Sequence, residues 1–304
     1  MSTVGLAKKT NKIHKILVGD SKANAPAEAK IKDILETAAA DLKPTLLRPG
    51  NTKLGNKIAV WGVPAVAACP GRTALCESLC YATKNFYTFK ESIHSRHINF
   101  AVANRDDFAQ LMNADLRKKT KKVSRDIIRI HDSGDMFSEK YTRAWLQVMK
   151  DNPNKKFFLF TRSWRVAEIL PVLEEMAKLT NVRLWYSIDK QTDFPAHRPP
   201  RVRLAYMQVA EDDIPAGRVD LVFRDSKVRG ARVKKVGGAL VCPYENGITK
   251  AGTENVDKAK KDTFSCSTCG MCWDELDGPK DPRQHYSGST TKGRVSLVVL
   301  QPTL

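Results

Sequence analysis

Residues 127–135 read IIRIHDSGD, a short apolar run that turns abruptly into polar residues and a glycine. The same change occurs at residues 157–163, FFLFTRS, and at residues 182–189, VRLWYSID. Apolar runs of this length without strict alternation are typical of strands that are buried on both faces of a parallel sheet. The polar residues therefore fall at the carboxyl ends of predicted strands, where α/β proteins place their sites.

Further apolar runs extend this pattern along the chain, and the intervals between the early ones suit helices. The predicted strands are residues 57–63, 127–130, 157–160, 182–188, 202–209, 219–223 and 238–241. The predicted helices include residues 86–104, residues 106–121 and one that begins after Ser138. The order predicts an α/β fold, a partial or complete parallel (β/α) barrel of about six to seven strands.

The barrel is expected to occupy residues 51–241. Residues 1–50 are expected to form a basic N-terminal extension with one helix at residues 27–42, AEAKIKDILETAAADL. Residues 242–304 contain four of the seven cysteines and are expected to form a metal-binding segment followed by a tail.

Positive charge is in large excess, because 51 Lys and Arg residues face 33 Asp and Glu residues, a net charge of +18. It concentrates in residues 1–57, 117–129 and 224–235. Any one run can be ordinary solvated surface, but three together favour a polyanionic partner, a nucleic acid or a nucleotide. No apolar run approaches the roughly 18 residues that span a membrane, and no secretory signal is recognisable. We therefore expect a cytoplasmic protein without a membrane partner; its oligomeric state is left open.

Four cysteines lie near the C-terminus: Cys242, then Cys266, Cys269 and Cys272 with the spacing C-x2-C-x2-C. In a reducing compartment, clustered cysteines bind metals more often than they form disulfides. Four thiolates satisfy either a closed tetrahedral zinc site or a second 4Fe–4S cluster. The sequence predicts a metal site here and leaves both metals open.

The other three cysteines, Cys69, Cys76 and Cys80, have the spacing C-x6-C-x3-C after the first predicted strand. A set one thiolate short of four leaves a coordination position open, which is typical of a reactive centre. The favoured interpretation is a 4Fe–4S cluster with one iron free for a ligand. The alternatives are a zinc site that His94 or His97 completes, and a buried apolar role for the thiols.

Together these motifs resemble two known groups. A three-cysteine loop after strand one and a Ser-Gly-Asp turn after strand two resemble the radical S-adenosylmethionine (SAM) superfamily, although its usual spacing is C-x3-C-x2-C. More closely, the chain is similar to the phage gene product 88 family over roughly residues 50–273. The matching stretches are residues 50–55 (GNTKLG), 69–82, 129–135, 161–163 and the C-terminal cysteine motif that ends in Trp273.

The superfamily resemblance implies an iron–sulfur enzyme that cleaves SAM reductively to a 5′-deoxyadenosyl radical, with electrons from a separate electron donor. The implied ligands of its 4Fe–4S cluster are the thiolates of Cys69, Cys76 and Cys80. The other implied contacts to SAM are Tyr81 at the adenine, Ser133, Gly134 and Asp135 at the amino group, Arg162 at the carboxylate, and Ser187 and Asp189 at the ribose.

Asp135, Arg162 and His131 are the expected catalytic side chains. Each has an alternative: Asp135 can cap the helix that follows it, Arg162 can pair with a neighbouring aspartate, and His131 can be an interior histidine. The expected substrate is a nucleic acid or a nucleotide, in the host cytoplasm if the protein is phage-encoded. The alternative function is a non-enzymatic phage nucleic-acid-binding protein with two structural zinc sites.

Overall fold

The computed structural model describes residues 46–55, 57–119, 124–225, 228, 233–245 and 265–274. In these residues one sheet contains nine strands. They are β1 (Arg48–Pro49), β2 (Ile58–Trp61), β3 (Ile127–Ile130), β4 (Lys156–Thr161), β5 (Val182–Ile188), β6 (Arg203–Gln208), β7 (Leu221–Arg224), β8 (Lys235–Val236) and β9 (Ala239–Val241).

The strands lie in the order β1-β2-β3-β4-β5-β6-β7-β9-β8. Every neighbouring pair from β2 to β7, and the pair β7–β9, is parallel, whereas the short edge strands β1 and β8 are antiparallel to β2 and β9. Each of the seven predicted strands coincides with an observed strand to within two residues at either end. The sheet is open, so the expectation of a complete barrel is corrected; the two antiparallel edge strands were not predicted because each has only two residues.

Helices pack against only part of this sheet. They are α1 (Ala74–Leu79), α2 (Lys90–Ala103), α3 (Phe108–Arg117), α4 (Glu139–Asp151), α5 (Leu170–Ala177) and α6 (Cys266–Cys269). As predicted, Ser138 caps α4, since its Oγ accepts a hydrogen bond from the Tyr141 N–H. Residues 189–202 and 209–220 connect β5, β6 and β7 without a helix. The first of these loops contains three prolines, which interrupt helices.

The two faces of the sheet are buried by different parts of the chain. The helix face carries alternate apolar residues of each strand, among them Ala59, Ile128 and Leu159. They form the main apolar core with α2, α3, α4 and α5. The opposite face, here called the inner face, carries Val60, Phe158 and further residues that pack against residues 265–274. Successive side chains of a strand point to opposite faces, so both faces of the parallel strands are covered.

The helix predicted at residues 27–42 lies outside the described residues, as do most of the basic residues of segments 1–57 and 224–235. Among the helices that are described, none combines the length and the hydropathy needed to cross a membrane. The division of the chain at residues 50 and 241 stays a prediction. Both flanking segments nevertheless contribute to the sheet's surroundings, because β1 pairs with β2 and residues 265–274 cover the inner face.

Candidate functional site

Polar side chains at the carboxyl ends of β4 and β5 meet the loop that contains Cys69, Cys76 and Cys80, here called the three-cysteine loop. Arg162 Nη1 lies 2.9 Å from Asp189 Oδ2, and both side chains are more than nine-tenths buried. The Thr73 hydroxyl donates to the same Asp189 oxygen at 2.7 Å and accepts from the Cys76 N–H at 3.0 Å. Thr73 therefore joins the N-terminus of α1 to the end of β5.

The backbone of this loop also approaches β4 closely. A Cβ at Gly71 would collide with the carbonyl group of Arg162, so that only glycine fits there. The Gly71 carbonyl oxygen accepts a hydrogen bond from Arg165 Nη1 at 2.9 Å. The three-cysteine loop is thus anchored to the ends of two strands instead of projecting freely into solvent.

The three thiols of this loop are half-buried and interact with one another. Burial raises the pKa of Cys69 well above that of a free thiol, and the negative charges of Asp135, Cys80 and Cys76 raise it further. Burial also raises the pKa of Cys76, while the adjacent Arg162 guanidinium opposes that rise. Three soft sulfur donors therefore share one partly enclosed environment next to a buried cation.

The arrangement of the cysteines limits the kind of metal group that they can hold. Within the described parts of the chain, no group of three or more Cys, His, Asp or Glu side chains is arranged to hold a single metal ion. Thiolates that hold a 4Fe–4S cluster each bind a different iron, so they need not converge on one point. Three cysteine sulfurs are the donor set that such a cluster takes, and they leave one iron without a protein ligand.

Asp135 lies in the turn after β3 and is buried. Its Oδ2 accepts a hydrogen bond from the Arg162 backbone N–H at 2.8 Å, and its Oδ1 accepts one from the Met136 N–H at 2.7 Å. Ser133 Oγ donates to the Val63 carbonyl oxygen at 2.9 Å, and Gly134 has a φ of +79° with its Cα packed against Val63. The turn holds the ends of β2, β3 and β4 together, and Asp135 is its central acceptor.

His131 lies on the helix face. Its ring is buried, and its Nε2 is 2.7 Å from the hydroxyl of Tyr141, which also accepts from Trp61 Nε1 at 2.7 Å. Burial, assisted by the charge of Arg129, lowers the pKa of His131 to about 3, so the ring is neutral near pH 7. These contacts are those of an interior histidine, the alternative that the sequence left open.

Tyr81 and Ser187 flank the site. Tyr81 follows Cys80 directly, is 54% exposed, and donates its hydroxyl hydrogen bond to the Asp132 carbonyl oxygen at 2.7 Å. Ser187 alternates with Ile188 along β5 and therefore shares the inner face with Trp185. Of the histidines considered for a zinc site, His97 is buried with Nδ1 2.7 Å from the carbonyl oxygen of Ile93, one turn earlier in α2. The side chain of His94 lies outside the part that the structure describes.

The four C-terminal cysteines surround one small pocket on the inner face. Its lining residues are Leu221, Cys242, Pro243, Tyr244, Cys266, Cys269, Met271 and Cys272. Burial raises the pKa of Cys272 well above its ordinary value, and the thiols of Cys266, Cys242 and Cys269 raise it further. Burial likewise raises the pKa of Cys242 to about 11. The fold thus brings Cys242, at the end of β9, to the C-terminal motif that begins 24 residues later, and the two surround an apolar pocket.

Residues 51–55 anchor this C-terminal segment. The Cys266 N–H donates to the Lys53 carbonyl oxygen at 2.8 Å, and the Ser267 N–H donates to that of Leu54 at 3.0 Å. Gly55 has a φ of +82°, and a Cβ there would lie 2.7 Å from Ser265 Oγ and collide with Ser267 Oγ. The motif GNTKLG therefore has a structural role that its sequence alone did not reveal.

Two polar or charged residues of the two sites were missed by sequence reasoning: Thr73 and Lys53. The position of Thr73, three residues before Cys76, is the signal of a helix cap that binds the Cys76 N–H. Lys53 Nζ lies 2.8 Å from Glu245 Oε1, and it opposes the rise in the pKa of Cys242. Lys53 and Glu245 are 192 residues apart, so no local sequence pattern indicates that they form a pair.

Comparison with known proteins places this chain in a phage protein family. A family model described as gene product 88 matches residues 39–275. The Gene 88 proteins of Mycobacterium phage L5 and Mycobacterium phage D29 are each 26% identical to this chain over 233 residues, which is 73% of this chain and 85% of either relative. No solved structure matches it. A match over most of the chain shows that this protein belongs to the gene product 88 family.

Proposed function

We propose that this protein is a radical SAM-like iron–sulfur enzyme that acts on a nucleic acid or a nucleotide. The observation that carries the proposal is the buried chain of contacts from Cys76 through Thr73 and Asp189 to Arg162. It ties a three-thiol donor set to polar groups at the carboxyl ends of parallel strands, the position of sites in such folds. The sequential order of the parallel strands also suits a partial barrel.

A 4Fe–4S cluster held by Cys69, Cys76 and Cys80 would supply an electron and an iron with an open position for SAM. The protein's own contribution is to bind and orient. Asp189 and Thr192 both contact Arg162 at Nη1. A guanidinium has further N–H donors, which can grip the carboxylate of SAM.

Asp135 acts in this proposal through Arg162. Its Oδ2 accepts from the Arg162 backbone N–H, so the carboxylate fixes the position from which the guanidinium extends. Asp135 is therefore a positioning residue, and Arg162 is the side chain proposed to touch SAM. Tyr81, which is half exposed beside Cys80, is available to cover the adenine.

The test is anaerobic reconstitution of the full chain with iron and sulfide, followed by iron analysis and an assay for 5′-deoxyadenosine release from SAM with dithionite as reductant. We expect Cys76→Ala to remove about four irons per chain and to abolish 5′-deoxyadenosine release. Ser78→Ala, on the exposed side of the same short helix, is the matched control and should keep both. Unchanged iron content in Cys76→Ala would refute the proposal.

A second candidate function follows from the four cysteines around the apolar pocket, because four thiolates are also the donor set of a structural zinc ion. Such an ion would require the four sulfurs to converge on one point, which they do not do in the described structure. With zinc bound there, the protein is a nucleic-acid-binding protein whose cysteines serve its fold. Purified protein would then be colourless with about two zinc ions per chain. Broad absorption near 400 nm in brown, iron-containing protein would exclude this candidate for at least one of the two sites.

A further inference from the structure

Exposed aromatic side chains cluster directly after the three-cysteine loop. Phe86 is 75% exposed and Phe89 is 55% exposed, and their ring centroids lie 5.4 Å apart in an edge-to-face arrangement. With Tyr81, they are three of the four large hydrophobic side chains that are exposed in the described residues. We call residues 81–89 the aromatic turn. Exposed aromatic rings grouped in this way mark a binding surface.

The aromatic turn is anchored from below. The hydroxyl groups of Tyr81 and Tyr87 both donate to the Asp132 carbonyl oxygen, at 2.7 Å and 3.3 Å. The two tyrosine rings are themselves in edge-to-face contact, with centroids 5.4 Å apart. The segment is therefore attached to the end of β3. Because the two phenylalanines lie on an already ordered segment, little conformational entropy is lost when a ligand binds to them.

Three arginines surround the same point. Arg96 Nη2 lies 2.9 Å from Asp132 Oδ2, and its guanidinium lies 4.5 Å from the centre of the Tyr87 ring. Burial raises the pKa of Asp132, and the charges of Arg96, Arg129 and Arg48 oppose that rise. Three cations thus share one carboxylate, which leaves an excess of positive charge beside the aromatic turn. Arg48 is exposed.

We propose that the aromatic turn, Arg48 and Arg96 bind single-stranded nucleic acid, with bases stacked on Phe86 and Phe89 and the backbone phosphates near the two arginines. Aromatic rings with adjacent cations are how proteins bind single strands, since every unpaired base offers a face for stacking. A duplex keeps its bases stacked on each other and cannot use these rings. The net charge of +18 complements the phosphates. That the bound strand is also the substrate of the enzyme rests on the proposed function.

The test is fluorescence anisotropy of the full chain with a labelled 20-nucleotide single-stranded DNA and with its duplex. We expect Phe86→Ala/Phe89→Ala to weaken single-strand binding at least tenfold, because two unpaired bases lose the rings on which they stack, and to leave duplex binding almost unchanged. Both side chains are exposed, so the fold should survive, which circular dichroism checks. Ile214→Ala, at an exposed apolar residue in another loop, is the matched control and should bind like the wild type.

Arg48→Gln adds an independent measurement. It should lower the slope of log affinity against log salt by about one ion contact for single-stranded DNA. Equal affinity of the wild type and the double phenylalanine variant for the single strand would overturn the proposal. So would a change in oligomeric state of that variant on size-exclusion chromatography without a loss of binding, since the surface would then join two copies of this chain.

The two proposals fail separately. Anisotropy is measured without SAM or reductant, so binding that depends on Phe86 and Phe89 supports this surface even if no 5′-deoxyadenosine is formed. Release of 5′-deoxyadenosine by a wild-type protein that does not bind single strands would support the enzyme and overturn the surface. The same labelled strand is used in both cases.

Discussion

The two cysteine groups of this protein lie in opposite chemical environments. The three-cysteine loop is at the carboxyl ends of the strands, among the buried polar side chains of Thr73, Arg162 and Asp189. The four-cysteine group surrounds an apolar pocket on the inner face, where Cys272 packs against the aromatic rings of the sheet. The same side chain therefore lies beside buried polar and charged groups in one cysteine group and beside apolar side chains in the other.

The two groups are also anchored differently. The three-cysteine loop is held by hydrogen bonds and one ion pair between side chains, which link α1 to β4 and β5. Residues 265–274 are held by backbone hydrogen bonds to residues 53 and 54 and by a bond from Trp185 Nε1 to the Cys272 carbonyl oxygen at 3.0 Å. Loss of the four-cysteine site should therefore affect the free energy of unfolding more than loss of the other.

The largest effect is expected for Cys272→Ser. If the proposed metal group is held by this cysteine, the substitution removes a ligand together with binding energy that would hold the segment over the inner face, so the free energy of unfolding should fall by more than about 3 kcal/mol. Cys76→Ser, at the half-buried rim, should lower it by less than about 1 kcal/mol. Urea unfolding of both variants, reconstituted with metal, measures the difference. Equal losses in the two variants would contradict the expectation that the four-cysteine group contributes more to stability than the three-cysteine loop.

Asp189→Asn tests the polar side of the comparison. The substitution keeps the shape of the side chain but leaves the buried Arg162 guanidinium without its carboxylate, which should cost about 3 kcal/mol. If the proposed function is correct, the loss is accompanied by weaker SAM binding, measured by equilibrium dialysis. Thr192→Val, which removes a neutral partner 3.3 Å from Arg162, is the control and should cost only about 1 kcal/mol. A smaller effect for Asp189→Asn than for Thr192→Val would contradict the assigned ion pair.

A smaller effect is expected where residues 51–55 hold the four-cysteine segment. Gly55→Ala imposes a side chain on a residue with a φ of +82° and crowds Ser265 and Ser267, for a loss of about 2 kcal/mol. Gly238→Ala is the matched control, because its φ is +81° but no atom lies within 4 Å of the added Cβ. It should lose only about 1 kcal/mol, the cost of the backbone conformation. Thermal unfolding of the two variants isolates the contact with the segment; identical losses would show that the contact contributes nothing.

Much of the sheet could be predicted from the sequence because its central strands are buried on both faces. Residues 127–130 and 182–188 are strands with the predicted bounds, since a short apolar run between polar residues can be buried in few other ways. The loops between β5 and β7 contain no helix, and the prolines in them disfavour one. The openness of the sheet depends on strand pairing, which local periodicity does not report.

The candidate site was predictable in part. The positions of Arg162 and Asp189 after predicted strands placed them at one edge of the sheet, and the structure joins them in an ion pair. The sequence allows Asp135 to cap the following helix, whereas in the structure its carboxylate accepts from the backbone N–H groups of Met136 and Arg162. Which donors face a carboxylate depends on the fold. His131 shows the same limit: a histidine at a strand end can face either side, and here it faces the aromatic core.

The sequence by itself determined the parallel α/β sheet, the separation of seven cysteines into groups of three and four, and the excess of positive charge. These features follow from composition, spacing and short-range periodicity, which are properties of the chain before it folds. Only the tertiary structure decided that the C-terminal cysteine segment covers the inner face, that residues 51–55 hold it there, and that Tyr81 and Tyr87 bind the end of β3. Such contacts join residues distant along the chain, and they form only where packing and hydrogen-bond geometry are satisfied together.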